Sequence, residues 1–152
     1  MRKFFDKMGL SKFRNNSTVF FIFADIWTFY YIYKKFTNKE NIDQLIEIAA
    51  KGQGLDSAHL EGLYTLMTQS LIMLLGLAAL IHIVNYVLYN KNKKAAIAYL
   101  KLYAWSAALL FPLWGFSVFA DSPPAAIIFV ALGGLMAFNA FGLRVYPYQE
   151  KS

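Results

Sequence analysis

Residues 64–89 read YTLMTQSLIMLLGLAALIHIVNYVLY, and this stretch decides the fold class. It contains no Lys, Arg, Asp or Glu, and His82 is its only histidine. An α-helix rises 1.5 Å per residue, so about 20 apolar residues cross the roughly 30 Å of hydrocarbon in a bilayer. In an α-helix the backbone N–H and C=O groups of a single segment form hydrogen bonds with one another, so the segment needs no water inside the bilayer. The stretch therefore predicts a transmembrane helix.

Three further apolar runs are also long enough to cross the bilayer. They cover residues 17–36, 95–119 and 124–146. Asp25 lies inside the first of them, and Lys101 and Pro112 lie inside the second. The sequence thus predicts an all-α integral membrane protein, a four-transmembrane-helix bundle that forms a single membrane domain over residues 1–152.

The composition supports a lipid partner and excludes several other classes. Hydrophobic residues make up 58% of the chain and charged residues 16%, against about a quarter in soluble domains. The net charge of +6 comes from clusters at the ends of apolar runs, which is typical of topology signals and argues against nucleic-acid binding. The chain has no cysteine, which excludes disulfide exchange, thiolate catalysis and iron–sulfur clusters. We expect no cofactor and no metal site.

The distribution of Lys and Arg predicts the orientation. With four spans, the two termini and the middle loop share one side and carry ten of these residues, whereas the other side carries four. Cytoplasmic segments are the ones enriched in Lys and Arg. Both termini are therefore expected in the cytoplasm, in a multi-pass protein of the plasma membrane, or inner membrane of a bacterium.

The outer loop, residues 37–63, is the longest part predicted outside the membrane. Asn41 and Gln44 are spaced like a capping box. The apolar residues that follow fall on one helical face: Ile42, Leu45, Ile46 and Ala49. The pattern predicts a short amphipathic helix that lies on the membrane surface or over the bundle.

Small residues mark the faces on which the predicted spans pack. Membrane helices approach each other through such residues because water supplies no driving force between them. One stripe runs along the third span, at Lys101, Ala104, Ala108, Pro112 and Gly115. The other runs along the fourth span, at Ala126, Gly133, Ala137 and Ala140. Both stripes predict helix–helix contacts, and the first also carries Lys101, the one lysine of the third span.

A layer of polar side chains is the only candidate site. With the predicted topology, Asp25, His82 and Lys101 all lie on the order of 10 Å inside the inner boundary of the hydrocarbon. Asn85 is one turn nearer the cytoplasm than His82. Asn139 has a similar depth, but it points away from the small-residue stripe of its own span.

Three interpretations of the polar layer are open, and in the simplest of them Lys101 extends to the interface and the residues form no cluster. A lone carboxylate at this depth costs about 2.5–3.5 kcal/mol on insertion scales, so Asp25 is expected to pair or to be protonated. In the structural interpretation, which we favour, Asp25 and Lys101 form an ion pair, and His82 and Asn85 add hydrogen bonds between helices. In the functional interpretation, Asp25 binds a proton or cation, and His82 and Lys101 tune that site.

The sequence contains no set of residues that indicates an enzyme. We expect an accessory or structural subunit of a membrane complex, in a homo- or hetero-oligomer with other membrane proteins. The alternative is an oligomeric proton- or cation-coupled transporter or channel that uses the polar layer, since four helices rarely enclose a path alone. A lipid-modifying enzyme ranks last because no nucleophile or metal set lies near an interface.

Overall fold

The computed structural model describes residues 2–38, 40, 42–43 and 57–146, and this part of the chain is helical with no β-strand. Five helices follow in order: α1 (Arg2–Met8), α2 (Leu10–Phe36), α3 (Ser57–Asn90), α4 (Lys94–Val118) and α5 (Pro123–Val145). The all-α class predicted from the sequence is confirmed.

Three of these helices are long and apolar enough to cross a membrane. They are Glu61–Asn90 within α3, and the whole of α4 and α5. They correspond to the second, third and fourth predicted spans, and their ends lie within a few residues of the predicted ones. These helices indicate a membrane protein.

The predicted first span lies inside α2, which is a continuous helix of 27 residues. Among the described residues, α2 is not one of the three helices that are long and apolar enough to cross a membrane, so a fourth crossing remains a prediction. Helix α2 begins at Leu10, seven residues before the predicted start of the first span, and α1 precedes it. Gly9 separates the two helices with φ of +78°, a conformation that glycine adopts without steric cost.

The chain divides into two compact units, Met1–Ala24 with Ile83–Ser152, and Asp25–His82. In the first unit, α4 and α5 form an antiparallel pair. The rings of Trp114 and Phe129 stack between them at 4.8 Å and 16°. A Cβ placed on Gly133 would come within 2.5 Å of the Pro112 ring, so the two backbones are as close as glycine permits.

An aromatic cluster joins α1 and the start of α2 to the end of α5. Phe5, Phe13, Phe138 and Tyr146 have ring centroids 5.2–6.4 Å apart. Phe5 and Phe13 are buried, and the Tyr146 hydroxyl donates a hydrogen bond to the carbonyl of Phe5. Edge-to-face and tilted rings at these separations stabilise a core beyond the area they bury.

The second unit contains the later part of α2 and the earlier part of α3. Asp25 contacts His82 at one end of this helix pair. Near the other end, the Tyr64 hydroxyl donates to the carbonyl of Thr37 over 3.1 Å. The unit also includes Ile42, which is buried and continues a helical turn that follows Asn38. The rest of the predicted amphipathic loop helix, from Gln44 to Gly52, lies outside the described residues.

Candidate functional site

Asp25 and His82 are brought together from two different helices. Asp25 lies on α2 and His82 on α3, and His82 Nδ1 is 2.7 Å from Asp25 Oδ2. This is the separation of a charge-assisted hydrogen bond. Because 57 positions of sequence separate the two residues, the contact depends on how the helices pair and not on local geometry.

The pair is largely shielded by neighbouring side chains. The side chain of His82 is 15% exposed and that of Asp25 is 9% exposed. The Phe29 ring lies on the same helix as Asp25, one turn further along, and its centroid is 6.0 Å from the imidazole. A carboxylate in such surroundings is costly without a partner, and the imidazole provides one.

Three further polar atoms in the same unit are buried without a hydrogen-bond partner among the described residues. They are Trp27 Nε1, Thr28 Oγ1 and Thr68 Oγ1. Thr28 lies three residues after Asp25, so both fall on one face of α2. The Thr28 hydroxyl therefore lies on the same face of α2 as Asp25, about one turn away.

The arrangement allows one kind of chemistry. A carboxylate accepts hydrogen bonds, and an imidazole donates through one ring nitrogen when neutral and through both when protonated. A proton can therefore be held at the pair in more than one state, and the hydrogen bond survives in several of them. The same contact can equally serve only to fasten α2 to α3. Within the described ranges, no group of three His, Asp or Glu side chains could hold a metal ion.

The other two members of the predicted layer lie in the first unit. Asn85 follows His82 by about one helical turn on α3 and is half-buried. Lys101 lies in the second turn of α4 with an exposed side chain. The predicted ion pair between Asp25 and Lys101 remains a prediction.

The small-residue positions lie mostly on the buried sides of α4 and α5. Ala104 and Gly115 on α4, and Gly133 on α5, are buried, whereas Ala108 and Ala137 are half-buried. A Cβ on Gly115 would come within 2.9 Å of the carbonyl oxygen of Ala126. These positions set the spacing of the two helices and carry no group that reacts.

Sequence reasoning gave too little weight to Asn139. Its side chain is fully buried in the first unit, where its amide nitrogen donates to the carbonyl of Ser17 over 3.5 Å. Ser17 is fully buried as well. The signal that could have found them is their polarity within apolar runs, because a polar side chain at membrane depth faces protein more often than lipid.

A second polar group in the first unit joins α2 to the loop between α3 and α4. The Arg14 guanidinium donates to Asn92 Oδ1 and lies 5.7 Å from the centroid of the Tyr89 ring. Asn92 has φ of +56°, the left-handed conformation that asparagine tolerates better than most residues. Sequence reasoning treated Arg14 only as a topology signal, and its spacing to Asn92 offered no further clue.

Comparison of the chain with protein-family models, curated proteins and solved structures finds no match in any of the three.

Proposed function

We propose that this protein is a small multi-pass membrane protein that works as a non-catalytic subunit of a larger membrane assembly. One observation carries the proposal: α3 is the most apolar of the three membrane-length helices, yet only 6% of its central window is buried. The corresponding shares are 33% for α4 and 50% for α5. Inside a bilayer such an uncovered helix contacts either lipid or another membrane protein, and in this proposal part of its surface contacts a protein.

In this proposal the Asp25–His82 pair has a structural role, which is to hold α2 and α3 together. A hydrogen bond between membrane helices stabilises their association by about 0.6 kcal/mol on average and by up to about 1.7 kcal/mol. The 2.7 Å contact then fixes the register of α2 against α3. Any reaction or transport is carried out by other subunits of the assembly. The ten-to-four excess of Lys and Arg supports cytoplasmic termini and a plasma-membrane, or bacterial inner-membrane, location.

The experiment that tests this proposal is purification of the tagged protein, at its native level, in a mild detergent. We expect defined membrane proteins to co-purify in a fixed ratio, and the same proteins to be absent when an unrelated tagged membrane protein is used. Recovery of the chain with no reproducible companion and no second copy would contradict the proposal.

A second candidate function is favoured by the Asp25–His82 contact itself. Ionisable residues inside membrane helices often mark proton or cation pathways, and a carboxylate–imidazole pair can exchange a proton. In this proposal an oligomer of the chain conducts or exchanges protons through the pair. Asp25→Asn, which keeps the shape and removes the charge, is then expected to abolish proton flux into vesicles that contain the purified protein. Flux that is unchanged from the wild-type protein with Asp25→Asn would exclude this second candidate.

A further inference from the structure

Basic residues from four segments collect at one end of the first unit. The segments are α1, the start of α2, the loop between α3 and α4, and the end of α5, and the aromatic cluster and the Arg14–Asn92 hydrogen bond join them. Among the described residues, their only acid is Asp6. Their basic residues are Arg2, Lys3, Lys7, Lys12, Arg14, Lys91, Lys93, Lys94 and Arg144. Residues 147–152 add one acid and one base to the sequence, so they leave this excess of positive charge unchanged.

The Arg14 side chain is held in place by the protein itself. Its guanidinium donates to Asn92 Oδ1 and lies 5.7 Å from the centroid of the Tyr89 ring. The loop that carries Asn92 is fixed in turn by its backbone. The N–H of Asn92 donates to the carbonyl of Tyr89, and the N–H of Lys93 donates to the carbonyl of Leu88, each over 2.9 Å. A side chain that is already ordered loses less conformational freedom when it binds a ligand.

The positive charge of Arg14 has no carboxylate partner among the described residues. Asn92 is neutral, so the hydrogen bond to it leaves the charge uncompensated. The Arg14 side chain is half-buried, and its Nε–H is shielded from solvent without a hydrogen-bond partner in the part of the chain that the structure describes. A guanidinium presents its N–H donors in a planar fork that matches the oxygens of a phosphate. Arg14 is therefore suited to bind an anion.

Two buried hydroxyl groups belong to the same cluster. They are Tyr89 Oη and Ser17 Oγ, and neither has a hydrogen-bond partner among the described residues. Arg14 and Ser17 are the polar neighbours of the Tyr89 hydroxyl. A hydroxyl can donate as well as accept, so the cluster holds several donors that no described residue uses. Buried donors of this kind are normally satisfied by a ligand or by ordered water around it.

The cluster lies at the depth of the lipid headgroups. The membrane-length segment of α3 ends at Asn90, and that of α4 begins at Lys94, so the loop between them marks one boundary of the bilayer. Lys91 and Lys93 stand on either side of Asn92 in this loop, and both are exposed. Phospholipid phosphate is the anion that surrounds a membrane protein at this depth. Basic pockets between membrane helices bind anionic headgroups in this way.

We propose that Arg14, together with Lys91 and Lys93, binds the phosphate of an anionic phospholipid headgroup. The guanidinium donates to the phosphate oxygens, and the two lysines flank the headgroup and balance its charge. A zwitterionic headgroup also carries a cation, which the surrounding basic residues repel, so the site selects a headgroup with a net negative charge. In the proposed orientation the site faces the cytoplasmic leaflet, in which anionic lipids are concentrated. The inference does not depend on the proposed subunit function, because phospholipid surrounds the chain with or without other subunits.

The test is native mass spectrometry of the purified full chain from micelles that contain equal amounts of phosphatidylglycerol and phosphatidylcholine. The ratio of the two lipids that stay bound is measured. The wild-type protein is expected to retain phosphatidylglycerol preferentially. Arg14→Gln is expected to lower the ratio at least about fivefold, the contribution of one basic residue to the binding of anionic lipid. Lys34→Gln is the matched control, because it removes the same charge from an exposed position near the other end of α2, and it is expected to leave the ratio unchanged.

Two further variants separate the guanidinium from the net charge and guard against a folding defect. Arg14→Lys keeps the charge and removes the planar fork, so its ratio is expected to lie between those of the wild type and Arg14→Gln. The double variant Lys91→Gln, Lys93→Gln leaves the side-chain contacts of Arg14 in place. It is expected to lower the ratio by about tenfold or more. Far-UV circular dichroism establishes that each variant is folded, and the double variant decides the outcome if Arg14→Gln is not.

Several results would overturn the proposal. One is a ratio that is the same in the wild type, Arg14→Gln and the double variant. Another is a ratio that falls as far with Lys34→Gln as with Arg14→Gln, which would show only a general attraction of charge. A wild-type ratio in Arg14→Lys would mean that the guanidinium does not hold the headgroup. Displacement of phosphatidylglycerol by inorganic phosphate would mean that the ligand is a soluble anion and not a lipid.

Discussion

Gly133→Ala is the substitution that most clearly tests how closely α4 and α5 pack. The added Cβ would lie 2.5 Å from Pro112 Cγ and 2.6 Å from Pro112 Cδ. The proline ring cannot rotate away as a flexible side chain would, and ordinary contact begins at 3.4 Å. The two helices must therefore separate locally by about 0.9 Å, a gap that loses a quarter to a half of the dispersion energy of each contact it opens.

The expected loss of stability follows from this displacement. Forcing an extra methyl group into a well-packed contact costs about 1–3 kcal/mol. Alanine also favours the helix over glycine by about 1 kcal/mol, which partly hides the steric cost. Gly134→Ala separates the two effects, because a Cβ there meets nothing within 4 Å and so reports helix propensity alone. We expect Gly133→Ala to be less stable than Gly134→Ala by about 1–3 kcal/mol.

The assay is reversible unfolding of the purified protein in mixed micelles with increasing SDS, followed by far-UV circular dichroism. The free energies of unfolding of the two alanine variants are compared directly under identical conditions. If they agree within about 0.5 kcal/mol, α4 and α5 are not in close contact at Gly133.

Three other predictions use the same unfolding assay. Asp25→Asn and His82→Gln are expected to be non-additive by about 0.5–2 kcal/mol in a double-mutant cycle, because each residue loses the same 2.7 Å partner; additive effects would refute the contact. Lys101→Gln is expected to change stability by less than about 0.5 kcal/mol because the side chain is exposed, and a loss well above this value would instead support an ion pair with Asp25. Asn139→Leu is expected to leave stability unchanged or to raise it, because Asn139 Oδ1 has no partner among the described residues and the amide nitrogen makes only a long hydrogen bond of 3.5 Å. A large loss of stability would mean that the Asn139 amide forms stronger hydrogen bonds than this contact indicates.

The apolar helices could be predicted because membrane length and hydropathy are local properties of a sequence. Residues 64–89 specify a spanning helix without any knowledge of its neighbours, and α3 contains that whole range. The first span was harder to judge, because Asp25, Lys34 and Lys35 lower its apolar character. α1 was not predicted at all. Its position depends on Phe5 stacking with residues near the other end of the chain, which no local pattern reveals.

The sequence predicts the depth of each polar residue along its helix, but not the direction in which its side chain points. Counting residues placed Asp25 and His82 at one level, and the structure brings these two side chains into contact. The same counting placed Lys101 at that level but could not tell which way its side chain faces. For Asn139, the small-residue stripe suggested one buried face on α5. That helix packs against α4 at Gly133 and also contacts α2 at Ser17, so more than one face is buried.

The most direct test of the central claim, that the chain works within an assembly, is its native mass in the membrane. The protein is extracted at its natural level into lipid particles that retain bilayer, and the intact complex is weighed by native mass spectrometry. We predict a defined species heavier than the 17.3 kDa chain, which contains other membrane subunits or further copies of the chain. A single species at the mass of one chain would contradict the account.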